Sequence, residues 1–198
     1  AFAGSTASET GLPLLILSSV CLYAGGVALN DVCDTDRDAV ERPERPIPSG
    51  RVSRGAAARL AVTLLGIGTI AAMTVSLRAT VVAGMLVTAI VLYNLHAKAT
   101  VWGPVVMGLC RAMNLALGMG ALPTLATPAA VGAMLLMCLY IASVTFFARD
   151  EAGISSRTRL RLGAAGVALA VVGLCVLPIF LPVPRWAVAF FALPIAGF

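Results

Sequence analysis

Apolar runs long enough to cross a bilayer recur from one end of this sequence to the other. They cover Leu12–Val32, about Ala56–Leu77, Thr80–Leu95, Val101–Leu122, Ala129–Phe147, Leu162–Leu181 and Trp186–Phe198. In hydrocarbon a backbone N–H or C=O has no water to turn to, so each run must satisfy its own polar groups, and a helix does this within one segment. The expected fold is therefore all-α: a polytopic transmembrane helical bundle of about seven helices, forming a single domain over residues 1–198. Breakers separate the runs, notably Pro123 and Pro128, Gly153, and Pro182 with Pro184. With 60% hydrophobic and only 12% charged residues, no soluble domain fits between the helices. Frequent Gly and Ala on the runs favour close helix–helix packing. The chain opens on Ala1 and stops within an apolar run, which reads as a fragment truncated at both ends.

The few charges are not scattered. Asn30-Asp31-Val32-Cys33-Asp34-Thr35-Asp36-Arg37-Asp38 gathers acids at the mouth of the first helix, and a polar loop is expected from Cys33 to about Arg54. On a helix, Asn30, Asp31, Asp34 and Asp38 fall within an arc of about 100°, and Asp36 points elsewhere. Oxygen ligands converging on one face suit a hard cation of the Mg²⁺ type, held by a few carboxylates together with substrate phosphates. An EF-hand loop beginning at Asp34 would need Gly at its sixth position and Glu at its twelfth, where Ala39 and Arg45 stand, so that reading fails.

Basic residues set an orientation. The loops after the first, third and fifth helices carry Arg37, Arg42, Arg45, Arg51 and Arg54, then Lys98, then Arg149, Arg157, Arg159 and Arg161. The second and sixth loops carry Arg78 and Arg185 alone. By the positive-inside rule the acidic cluster, Lys98 and Asp150-Glu151 lie on the cytoplasmic side. The net charge of +5 thus speaks to topology and anionic partners at the membrane, and no basic stripe on a soluble fold points to nucleic acid. The five cysteines stand singly, without a CxxC pair, and read as small core residues.

The acidic cluster continues as Glu41-Arg42-Pro43-Glu44-Arg45-Pro46-Ile47-Pro48-Ser49-Gly50-Arg51. Asn-Asp-x-x-Asp-x-x-x-Asp followed by Arg-Pro-x-Arg-Pro-Ile-Pro-Ser-Gly resembles the first signature of the UbiA superfamily of intramembrane prenyltransferases. Leu22-Tyr23-Ala24-Gly25-Gly26 and Met107-Gly108-Leu109-Cys110-Arg111-Ala112-Met113-Asn114 are similar to the UbiA-like EboC subgroup. The resemblance implies about seven of the family's usual nine helices. It also implies transfer of a prenyl group from a polyprenyl diphosphate to a lipophilic or aromatic acceptor, with Mg²⁺ and release of diphosphate. The family's aromatic acceptors link it to isoprenoid quinone biosynthesis. Carried onto this chain, Asp31, Asp34, Asp38 and Asp150 hold the metal, and Asn30 completes or orients that shell.

Cations near the cluster are candidates for the diphosphate: Arg42 and Arg45 in a loop stiffened by Pro43, Pro46 and Pro48, and Lys98, the only lysine. Tyr93-Asn94-Leu95-His96-Ala97-Lys98 resembles the family's Tyr-x-x-x-x-Lys pattern. His96 reads as an interfacial residue. Arg111 and Asn114 share a helix face inside an apolar run, where arginine is costly unless it meets a polar cavity, so they are expected to line the substrate cavity. The second family signature is incomplete: after Arg149-Asp150-Glu151 the position that should hold a second aspartate is Ile154. Two rival readings follow, a catalytically degenerate binder of prenyl diphosphate and a cation transporter gated by the acids.

Overall fold

The computed structural model describes residues 11–119, 127–150 and 157–180. Six α-helices account for nearly all of them: α1 (Gly11–Glu41), α2 (Arg54–Val75), α3 (Leu77–Leu95), α4 (Gly103–Gly118), α5 (Pro128–Asp150) and α6 (Arg157–Phe180). A 3₁₀ turn, Ala97–Ala99, follows α3, and no strand occurs among the described residues. All helices but α4 contain stretches long and apolar enough to cross a bilayer, and the protein is an integral membrane protein. The expected run Trp186–Phe198 lies outside the described residues.

The expected loop from Cys33 is instead helix as far as Glu41. No Gly or Pro interrupts residues 27–42, and Thr35 turns its hydroxyl inward, donating to the carbonyls of Asp31 at 3.1 Å and Val32 at 3.0 Å. The helix ends just short of Pro43, which cannot supply the next main-chain donor.

The helices fall into two compact units. In the first, α1 and α2 pack antiparallel through small residues: a β-carbon on Gly25 would meet Leu65 at 2.9 Å, and one on Gly68 would meet Leu22 at 2.7 Å. Lipid offers helices little hydrophobic reason to associate, so close backbone approach supplies the attraction. Ser18 adds a buried interhelical bond, its hydroxyl donating to the Gly68 carbonyl at 2.6 Å. α3 presents the stripe Ala79, Ala83, Leu86, Ile90 and Asn94 inward. Only Ser76 separates α2 from α3; its extended backbone breaks the helix and its hydroxyl accepts from the Ala79 N–H. The second unit contains the start of α4 with α5 and α6. There Gly132 faces Leu177, Gly173 faces Leu136, Gly166 faces Ser143 and Gly163 faces Phe147, the descending order of an antiparallel pair.

Candidate functional site

The helical extension of α1 carries Asp31, Asp34 and Asp38 beyond its apolar part on one face, and the chain then folds back on them. The Arg42 N–H donates to the Asp38 carbonyl at 2.8 Å as the helix ends. The Ser49 N–H donates to the Arg45 carbonyl at 2.9 Å, and the Val52 N–H to the Pro46 carbonyl at 3.0 Å, closing a small ring of chain. Gly50, at φ +78°, makes the left-handed turn that a side chain would strain. Arg51 cross-links the ring, donating to the Glu44 carbonyl at 2.6 Å and to Ser49 Oγ at 3.1 Å. Ser53 then caps α2 by accepting from the Ala56 N–H.

This ring aims Arg45 at the acids. Its Nη1 donates to Asp38 Oδ2 at 2.8 Å and reaches Asp31 Oδ1 at 3.4 Å. Asp38 is nearly enclosed, its side chain only 7% exposed. The hydrogen bond to Asp38 raises the Arg45 guanidinium above its already high ordinary pKa; desolvation opposes this, and the charges of Asp38, Asp31 and Asp34 reinforce it. From the other side, the 3₁₀ turn brings Lys98, whose Nζ donates to Asp34 Oδ1 at 2.5 Å. Asn30 is half-buried at the inner end of the same face, and Tyr93 is half-buried on the last turn of α3. Three acids and two cations, from segments as many as 64 residues apart, thus make one cluster.

Other residues lie elsewhere. Arg42 is exposed, and the structure does not bring it to the acidic face; its main-chain N–H closes the end of α1 on the Asp38 carbonyl. Asp36 is 87% exposed and pairs loosely with Arg54 at 3.6 Å, off the shared face as its helical angle requires. His96 is exposed. Arg111 and Asn114 lie one turn apart on α4, both half-buried, and Asn114 Oδ1 is buried without a hydrogen-bond partner among the described residues. The side chains of Arg149 and Asp150, at the end of α5, lie outside the described residues, as do Glu151 and Ile154.

Two features escape a reading of the sequence. Asn94 is buried at the end of α3; its amide donates to the Ile90 carbonyl at 2.9 Å, while Oδ1 accepts nothing among the described residues. An amide in the last turn of an apolar helix, four residues before the only lysine, was the available signal. The second is an apolar cleft of about 280 Å³ beside Asp31, walled by Ala28, Pro46, Ile47, Val52, Ala56, Ala57 and Leu60.

The donor set fits a hard divalent cation. One guanidinium nitrogen spans Asp31 and Asp38, so a single cationic group already bridges those two carboxylates. Among the described residues no group of three His, Cys, Asp or Glu side chains is arranged to hold a metal ion, so protein ligands alone do not make a site here. Mg²⁺ rarely relies on protein ligands alone, taking one or two carboxylates and filling its octahedron with water and phosphate oxygens.

The UbiA prenyltransferase family profile matches residues 1–198. The chain belongs to this family. Among its relatives, the digeranylgeranylglyceryl phosphate synthase of Metallosphaera sedula is 35% identical over 125 residues, covering 60% of this chain and 44% of that one. The enzyme of the same name from Ignicoccus hospitalis is 51% identical over 51 residues, covering 26% of this chain and 17% of that one. The chain therefore spans less than half the length of these relatives. A solved structure from work on digeranylgeranylglyceryl phosphate synthase in membranes superposes with a TM-score of 0.69 over 96% of this chain and 73% of that one. At 22% identity, that likeness is one of fold. In this UbiA-family chain Asp31, Asp34 and Asp38 stand where α1 leaves its apolar part, engaged by Arg45 and Lys98.

Proposed function

We propose that this UbiA-family chain, acting as one domain over residues 1–198, transfers a prenyl group from a polyprenyl diphosphate to a lipophilic acceptor within the membrane, dependent on Mg²⁺. The observation that carries this reading is the convergence of Asp31, Asp34 and Asp38 with Arg45 and Lys98. Acids alone suit a cation and bases alone suit an anion; interleaved, they suit a metal–diphosphate complex. Mg²⁺, which UbiA-family enzymes generally use, would supply charge neutralisation for the leaving diphosphate as the allylic C–O bond breaks.

The chain's own residues do the rest. Asp31, Asp34 and Asp38 would hold the metal, with Asn30 at the inner end of their helix face; Asp150 is a further ligand only as the family resemblance implies. Arg45 grips phosphate oxygens with its planar fork and Lys98 as a mobile point charge. Tyr93 and Arg149 are further substrate contacts that the family resemblance implies, and Arg42 is an exposed charge that attracts the donor. Apolar helix faces exclude water from the allylic cation, and Arg111 and Asn114 line the acceptor side. The acceptor's nucleophilic atom bonds to the prenyl carbon and loses a proton, while diphosphate leaves with the electron pair. The names of the relatives favour a glyceryl phosphate lipid as acceptor, and aromatic acceptors of the quinone type form the second class. The bias of basic residues puts this chemistry on the cytoplasmic face.

The test uses membranes containing the full-length protein, labelled geranylgeranyl diphosphate, Mg²⁺, and separate pools of glyceryl phosphate lipids and aromatic acceptors. Label moving into one pool, and lost with EDTA, establishes the reaction and the acceptor class. A second reading rests on Ile154 in place of an aspartate: a degenerate relative would bind the donor with Mg²⁺ and never consume it.

A further inference from the structure

Arg45 and Lys98 sit on the oxygens that the proposed chemistry needs. Asp38 Oδ2 and Asp31 Oδ1 face Arg45 Nη1 at 2.8 and 3.4 Å, and Asp34 Oδ1 faces Lys98 Nζ at 2.5 Å. A carboxylate oxygen bonded to an ammonium or guanidinium must give up or share that partner before it can enter the tight octahedron of a small divalent cation. These pairs are not loose surface contacts. The side chains of Asp38 and Asp34 are 7% and 14% exposed, so solvent screens them weakly, whereas Asp31 at 43% is the open edge of the cluster. Arg54 with Asp36 supplies the contrast on the same helix, at 3.6 Å and with side chains 53% and 87% exposed.

We propose that Arg45 and Lys98 are internal counter-ions that compete with the divalent metal for Asp31, Asp34 and Asp38, so that metal binds well only together with a diphosphate. This rests on the prenyl-diphosphate reading of the site. Bare metal entering alone would push two cations off their carboxylates and leave both without an anion, a penalty larger for Lys98, 19% exposed, than for Arg45, 32% exposed. A diphosphate removes that penalty by giving the displaced Arg45 and Lys98 new acceptor oxygens. Metal and diphosphate are then coupled: each creates the partner that the other needs, and by linkage the coupling is reciprocal. The loop ring supports the role, because it holds Arg45 at the acids through main-chain bonds that do not depend on the metal.

The experiment titrates the full chain, in lipid nanodiscs, with Mn²⁺ as a paramagnetic stand-in for Mg²⁺, first alone and then with inorganic diphosphate. Wild type is expected to bind Mn²⁺ weakly alone and about tenfold or more tightly once diphosphate is present. Arg45→Gln and Lys98→Gln are each expected to bind Mn²⁺ alone about tenfold more tightly than wild type, the scale of one charged hydrogen bond, and to lose most of the gain from diphosphate. Arg54→Gln should match wild type in both titrations. Opposite signs in the two titrations are what a merely structural role would not produce. Should a glutamine variant fail to fold, Arg45→Met and Lys98→Met keep the packing of the stem and are read in the same way. Wild type that gains from diphosphate while the variants bind bare Mn²⁺ no more tightly than it does overturns the counter-ion role alone. No Mn²⁺ binding by any protein, with or without diphosphate, overturns the diphosphate reading and this inference with it.

Discussion

The last three turns of α1 have two faces, and the same kinds of residue behave differently on each. Inward, Asp31, Asp34 and Asp38 meet Arg45 and Lys98, which return from the loop after α1 and the turn after α3. Outward, Asp36 meets Arg54 at 3.6 Å, and Arg37 meets Glu41 at 3.9 Å with both side chains more than half exposed. A residue count would call these equivalent ion pairs. Burial sets Asp34 and Asp38 apart: exposed pairs are screened and contribute little, while enclosed carboxylates must be matched closely or given another charge.

That contrast can be broken most decisively at the acids. Asp34→Asn or Asp38→Asn keeps size and removes charge, and either should lower Mg²⁺-dependent turnover of labelled donor by about 100-fold or more. Turnover within a few-fold of wild type would show that the inner face is structural. Next in size, Arg45→Gln and Lys98→Gln should each raise the KM for prenyl diphosphate by about tenfold, because each removes one charge-assisted contact to phosphate. A change confined to kcat would move both residues from substrate binding to the chemical step.

A smaller effect sharpens the loop's part in the contrast. Gly50→Ala forces a side chain into a left-handed turn at a cost of about 1 kcal/mol, felt mainly where Arg45 is aimed. Donor affinity should fall a few-fold with little change in thermal stability in detergent. Smallest of all, Asp36→Ala should alter stability by about 0.5 kcal/mol or less and leave turnover unchanged. Damage equal to that of Asp34→Asn would end the distinction between the faces.

Much of this site is written in the spacing of residues. Asp31, Asp34 and Asp38 recur at helical intervals, so their common face, and the exclusion of Asp36, follow from the order of the residues alone. The membrane helices are equally plain, since hydrocarbon leaves an apolar run little choice. What spacing does not carry is the path of the chain between elements. Arg42 and Arg45 each precede a proline and look interchangeable, yet one is exposed and the other grips two carboxylates. The choice is made by the ring from Arg45 to Val52 and the left-handed Gly50, a tertiary outcome. Continuation of α1 through a charged stretch is harder to foresee, because polarity suggests a loop, whereas only Pro43 supplies a reason to stop. The buried amide of Asn94 is legible in position but not in consequence.

The length of α1 has a further meaning. From Gly11 to Asp31 the helix climbs about 30 Å, the thickness of a bilayer's hydrocarbon. The helix is thus a ruler with its first graduation at the edge of the oil. A hydrocarbon layer that began at Gly11 would end at Asp31, leaving Asp34 and Asp38 beyond it. An amphiphile whose tail stays dissolved in the membrane brings its charged head to this height without being lifted out, so that diffusion in two dimensions is enough to deliver it.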